Sequence, residues 1–393
     1  MATRRSKLTA AAPLFAVFSH IDDPRSSKSR KHPLIKIIVI AVCAVICGAD
    51  NWVNIELWAK ANRKWLEGFL DMSTGVPSHD TFGRVFSILS PDAFQAAFTE
   101  WVRGLDVDIE GRVVAIDGKT ARRSHDHDRG LGPMHMVNAW CTEVGVSLGQ
   151  VATDKKSNEI TAIPKLLKML KLGGAIVTMD AMGCQKSIAE AIREQGAHYM
   201  LAVKDNHPTL CNEIKARFDA VLERETPIQA LRTHETSEKG HGREECRTTY
   251  VLPAPAGLHG RSGWRDLKSI AMVESVRTKD GVSTCHHRVY ISSLSPSRAD
   301  VFHKAARAHW GVENGLHWVL DMAFREDECR VRTGHGPENL ARLRQIALNL
   351  LKQERTAKVG VKSKRLRAGW DEAYLRRLLG LQRVEGPSTG SNG

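Results

Sequence analysis

The chain has 393 residues, 42% hydrophobic and 26% charged, a composition that excludes a disordered or fibrous protein and allows a large buried core. Lys and Arg outnumber Asp and Glu 57 to 44, for a net charge of +13. That surplus favours a polyanionic partner, because cations on phosphates release counterions, although solubility alone also accounts for it.

In chain order, the first third reads as helical. Residues 1–9 are basic, but 10–16 are too short for the apolar centre of a secretory signal. Pro24 to Lys36 carries Arg25, Lys28, Arg30 and Lys31 with no acid, and is either a solvated arm or a contact to a DNA backbone. Residues 34–49 are apolar around Lys36 and fall short of the ~20 apolar residues a membrane span needs, so they read as a buried helix. Residues 54–69 place Trp58, Trp65 and Leu66 at helical spacing. Ser78 is a candidate cap for a helix from His79, and Pro91 opens another to about Leu105.

From Gly111 the pattern changes to strands: 113–116, then 134–142 and 146–153 joined like a hairpin at Gly145. An amphipathic helix over 160–172 stops at Gly173-Gly174; strand 175–179, helix 185–194 and strand 198–203 follow. This order predicts an α/β fold, a mixed sheet with helices on its faces. A helical piece at 210–222 precedes short strand-like runs at 247–252, 267–276 and 289–292, a β-rich insertion. Helix returns at 299–324 and 338–352. The basic run 352–367 reads as a flexible segment and the Gly/Ser-rich end from Gly386 as disordered. None of the eight cysteines forms a CxxC pair, which argues against structural zinc and fits free thiols in a reducing cytoplasm.

Three carboxylates stand out. The apolar runs Val113-Val114-Ala115-Ile116 and Ala175-Ile176-Val177-Thr178-Met179 end on Asp117 and Asp180. A lone strand-end Asp is usually a turn residue. Two on parallel neighbours would emerge at one sheet edge, where α/β sheets hold ligands. Glu313 falls on the stripe Phe302, Ala306, Trp310, His317, Leu320 and Phe324, and a carboxylate buried there needs a partner, either a metal or a base such as Arg307 or His309. An all-carboxylate set suits Mg²⁺ or Mn²⁺, and two such ions about 3.5–4 Å apart serve phosphodiester displacement.

At these residues the chain resembles the DDE insertion-sequence transposases, in the group of H-repeat-associated proteins. Phe18-Ser19-His20-Ile21-Asp22-Asp23-Pro24-Arg25 is similar to the start of the group's N-terminal associated domain. Ala115-Ile116-Asp117-Gly118-Lys119 matches the first catalytic motif and Thr178-Met179-Asp180-Ala181-Met182-Gly183-Cys184-Gln185 the second. Val203-Lys204-Asp205-Asn206, Gly240-His241-Gly242-Arg243 and Tyr290-Ile291-Ser292-Ser293-Leu294 match the segments between. His309-Trp310-Gly311-Val312-Glu313-Asn314-Gly315-Leu316-His317-Trp318 matches the third motif, and Asn339-Leu340-Ala341 closes the resemblance.

The resemblance implies an RNase H-like core with a helical N-terminal domain (1–105), a core in two parts (106–205 and 299–352), a β-rich insertion (206–298) and a basic tail (353–393). It implies Asp117, Asp180 and Glu313 as catalytic metal ligands. It also implies a cytoplasmic enzyme that binds the element's inverted-repeat ends as a dimer, cuts them and joins them to target DNA. Where the broader superfamily has Tyr, Arg and Lys around its Glu, this chain has Ala306, His309 and Leu320, with Arg307 a candidate replacement for the Arg. Lys119, His241, Arg243 and Arg247 are further candidate DNA contacts. Asp321, Glu326 and Asp327 neighbour Glu313 in sequence, the last two reading as a solvated helix end. The alternatives are a silent or repurposed DNA-binding relative, and a nuclease that cuts without joining.

Overall fold

The structure, a computed structural model, describes residues 13–125, 132–153, 159–224, 228–240 and 242–381. The chain forms two compact units: one of residues up to Asp106, Thr120–Met134 and Trp318 onward, the other of Val107–Lys119 and His135–His317. Among the described residues no helix is long and apolar enough to cross a membrane.

The first unit is helical. Its centre is helix α1, Leu34–Ile46, apolar all round and buried from Ile37 to Ile46. Lys36 is tolerated there because its Nζ donates to Thr74 Oγ1 (2.9 Å) and Gly75 O (2.8 Å). The 54–69 segment is two helices, Trp52–Ala61 and Arg63–Glu67, broken at Asn62. Ser78 and Ser90 cap the next two, His79–Ile88 and Pro91–Gly104, by accepting from Thr81 N and Ala93 N. Helix α2, Gly336–Gln353, packs on α1 and buries Arg342, which donates to Gln95 Oε1 and Glu338 Oε1, both at 2.8 Å.

Two expectations are corrected in this unit. The basic run 352–367 is not a flexible segment: it enters helix Val361–Trp370, followed by helix Glu372–Leu378. Arg365 is buried, its guanidinium on Val45 O (2.8 Å), Asp50 Oδ1 (2.9 Å) and Ala323 O. It thereby adds a charged donor to Val45 O, one of the last carbonyls of α1, beside the 3.3 Å bond from Gly48 N. Glu326 is not at a solvated helix end either; it is buried with Arg344 at 3.5 Å.

The second unit is the expected mixed α/β layer, a sheet with helices on its faces. Strands β1 Val113–Ala121, β2 Met134–Cys141, β3 Val146–Ala152, β4 Ile176–Met179 and β5 His198–Val203 form one half of its sheet. Strands β6 Arg232–Gly240, β7 Arg243–Pro253, β8 Ser269–Lys279 and β9 Val282–Ser292 form the other. The order is β3-β2-β1-β4-β5-β9-β8-β7-β6, with β1, β4 and β5 parallel and β5 through β6 antiparallel. Buried parallel strands read as continuous apolar runs, which is why β1, β4 and β5 were legible. The β-rich insertion is no separate layer: β9 pairs directly with β5, Met200 opposite Ser292. Strand β6 went unpredicted because Arg232–Gly240 is almost wholly exposed and polar.

Helix α3, Ala299–Val312, lies across this sheet, burying Phe302, Ala305, Ala306 and Ala308 against Val113, Ile176, Val251 and Val273. It is not one continuous helix to residue 324: Glu313–His317 is a π-helical turn, and Trp318–Phe324 resumes α-helix.

Candidate active site

β1 and β4 run parallel with Ile116 opposite Met179, so the next residues, Asp117 and Asp180, come side by side. Asp117 does not end its strand, as expected from sequence; β1 continues to Ala121. The Asp-Gly pair is therefore extended backbone rather than a turn. Gly118 is required there for space: a Cβ would fall 2.0 Å from Glu159 Oε1 and 2.4 Å from His135 Nε2. His135 and Glu159 pair at 2.7 Å against that glycine, one residue from Asp117.

Glu313 arrives on the π turn. It does not sit buried within the apolar stripe: Val312 and Leu316 take the buried positions, and the Glu313 side chain is 62% exposed. Two glycines bring the turn close to β2. A Cβ on Gly311 would meet Thr142 Cγ2 at 2.3 Å, and one on Gly315 would meet Trp140 Nε1 at 3.1 Å. Thr142 Oγ1 donates to Ala308 O at 2.8 Å and holds the same approach. Single-turn π-bulges are common at functional sites because they re-aim side chains.

The resulting cluster joins residues far apart in sequence. Asp117, Glu313 and His317 each offer a ligand atom, all within 4.8 Å of one another. His317 Nδ1 is 3.1 Å from Glu313 Oε2 and 3.8 Å from Asp117 Oδ2. Burial pushes the Asp117 carboxyl up to about 7, a hydrogen bond from Gly118 N opposes the rise, and the charges of Glu159, Asp180 and Glu313 add to it. Asp180 is exposed and outside the tight group. Its Oδ1 accepts from Met182 N (3.0 Å) and Gly183 N (3.3 Å), which fixes the loop after β4. Asn206 and His207 brace the same loop by bonding Ala181 O (2.5 Å) and Cys184 O (2.7 Å).

The family described as "Transposase DDE domain" matches residues 108–350, and that described as "DDE_Tnp_1-associated" matches residues 15–102. This chain belongs to the DDE transposase family. It is 39% identical to "H repeat-associated putative transposase YhhI" of Escherichia coli (strain K12), over 92% of this chain and 96% of that one. It is 39% identical to "Putative transposase YncI" of Escherichia coli O157:H7, over 93% and 94%. A solved structure, the "piggyBac transposase synaptic complex with hairpin DNA", aligns over 98% of this chain and 80% of that one, with TM-score 0.37 and 11% identity, too distant to argue from.

The transposase's other candidate residues separate by environment. His309 has its Nδ1 3.1 Å from Thr178 Oγ1; burial pushes it down to about 4, so it is neutral at pH 7. Arg307 is paired with Glu238, and Arg247 with Glu245 at 2.6 Å, so neither presents an uncompensated charge. Lys119 is half-buried on β1. His241 and the Arg243 side chain lie outside the described residues. In the helical unit Arg25 is buried on Asp23 (2.7 Å) and His32 O (2.7 Å), and Arg30 donates to Arg25 O (2.8 Å) and Asp23 O (2.8 Å). That basic stretch is thus a folded loop, from which Lys28 and Lys31 project to solvent. Sequence reasoning missed Glu159, His135 and Arg288. Arg288 lies on β9 with its guanidinium 4.2 Å from the centroid of the exposed Trp310 ring.

Proposed function

We propose that this transposase binds the terminal inverted repeats of its element, cuts the DNA there and joins the freed ends to target DNA, using divalent ions held by Asp117, Asp180 and Glu313. The observation that supports this most is the electrostatics of Asp117. Burial, with the charges of three nearby carboxylates adding to it, pushes this carboxyl up to about 7, a cost that a bound cation would relieve. The oxygen-rich donor set fits Mg²⁺ or Mn²⁺, one or two ions. Bound there, divalent metal supplies an activated oxygen nucleophile and charge stabilisation at the phosphorus and leaving 3′-oxygen.

The chain's own residues supply geometry. β1 and β4 hold two carboxylates in fixed register, and the π turn brings the third from across the sheet. His309, neutral and bonded to Thr178, is available to hydrogen-bond a phosphate oxygen without repelling the ions. Arg288, against the Trp310 ring, and Lys119, two residues after Asp117 on β1, are the candidate backbone contacts. Recombining two ends calls for two active sites, so a homodimer on DNA is the expected assembly.

The test is cleavage and joining of DNA bearing the element's end, with Asp117→Asn, Asp180→Asn and Glu313→Gln beside the wild type. Loss of strand cleavage with end binding retained supports the assignment; full cleavage by any of the three overturns it. Pre-nicked ends incubated with plasmid read out joining separately, and a wild type that cuts but never joins is a nuclease instead.

A further inference from the structure

The geometry points to His317 as a direct nitrogen ligand of the cation held by Asp117 and Glu313, making this a mixed nitrogen–oxygen centre rather than a wholly carboxylate one. The inference rests on the reading of those carboxylates as metal ligands and goes on to name the ion class they select.

Three observations carry it. First, the His317 ring is buried, its side chain 6% exposed, yet its Nδ1 faces two carboxylates delivered by different elements. Second, Glu313 and His317 are four apart on one short π turn, which sets the two side chains on the same face of the turn. Third, the distances suit octahedral coordination. With metal–ligand bonds of about 2.1–2.2 Å, adjacent ligand atoms lie about 3.0–3.1 Å apart. The Nδ1–Oε2 distance of 3.1 Å already meets that edge, and the 3.8 Å to Asp117 Oδ2 closes with a small rotation of the aspartate. Asp180 keeps its free oxygen for the same ion or a neighbouring one.

A nitrogen donor changes selectivity. Imidazole suits first-row transition ions, of which Mn²⁺ is the weakest binder, whereas carboxylate and water alone suit Mg²⁺, Ca²⁺ and Mn²⁺ alike. The centre is therefore expected to prefer Mn²⁺ to Mg²⁺, with His317 as the residue that sets the preference. If His317 instead only positions Glu313 through a hydrogen bond, its loss weakens both ions alike.

The experiment titrates the metal-free full-length protein with Mn²⁺ and reads the nuclei around the bound ion by electron spin-echo envelope modulation, with natural and ¹⁵N-histidine-labelled protein. Expected are an imidazole nitrogen coupling in the wild type, its loss in His317→Gln but not in His309→Gln, and a fall of at least about tenfold in Mn²⁺ affinity with a smaller fall for Mg²⁺. Mn²⁺ that binds in an Asp117-dependent manner without a nitrogen coupling overturns the His317 assignment and leaves the carboxylate reading standing. Mn²⁺ binding that ignores Asp117→Asn overturns both. The wild-type spectrum decides the matter even if His317→Gln fails to fold.

Discussion

Replacing Asp117 by Asn should stabilise the metal-free protein, and the structure gives the size and pH window of the effect. The folded state holds the Asp117 proton more tightly than the unfolded chain, about 7 against an ordinary value of about 4. Its contribution is therefore fully present below about pH 4 and is lost as pH rises through about 7. Roughly three pH units at about 1.4 kcal/mol each give a ceiling of ~4 kcal/mol. With 30% of the side chain exposed, screening reduces this, and about half, ~2 kcal/mol, is the expected gain. For a unit of about 200 residues that is a rise of roughly 4–8 °C in Tm. The assay is thermal unfolding in EDTA at pH 8 and at pH 4.5. The variant should melt higher at pH 8 and by a clearly smaller margin, about 1 kcal/mol or less, at pH 4.5, and saturating Mg²⁺ or Mn²⁺ should raise only the wild type. A variant that melts at or below the wild type at pH 8, or gains equally at both pH values, refutes the cation-site reasoning.

Other outcomes follow from the same geometry. Gly118→Ala drives a Cβ into the His135–Glu159 pair and should cost ~1–3 kcal/mol, measured by denaturant unfolding, with cation affinity falling as Asp117 shifts. Arg365→Ala strips the carbonyl of Val45 and Asp50 of their buried partner and should cost ~3–5 kcal/mol in the same measurement, whereas a basic tail would have tolerated it. Arg288→Ala should weaken end binding and lower the slope of log affinity against log salt by about one, as removal of one phosphate contact does; an unchanged slope removes Arg288 from the DNA surface.

What was legible in the sequence was local. The buried parallel strands announced themselves as apolar runs, and the caps Ser78 and Ser90 mark helix starts through chemistry within three residues. Asp117 and Asp180 could be singled out because their strands could be. The misreadings have one cause, that tertiary contacts decide what local pattern leaves open. Arg365 is buried on Val45 O and Asp50, a contact with distant residues that no feature of 352–367 reveals. The stripe through Glu313 looked continuous because a 3.6-residue period assumes an unbroken α-helix, and the π turn breaks it. Strand β6 has no apolar face to betray it and is held by pairing with β7. His317 was visible as a stripe residue, but only the fold brings it to Asp117, and the register of β9 alone delivers Arg288 to Trp310.

Anomalous diffraction from crystals equilibrated with Mn²⁺ tests the central claim most directly. The account predicts a manganese peak within about 2.3 Å of carboxylate oxygens of Asp117 and Glu313, lost in Asp117→Asn crystals grown in the same way. Saturated crystals whose manganese binds elsewhere, with none between β1 and the π turn, would contradict it.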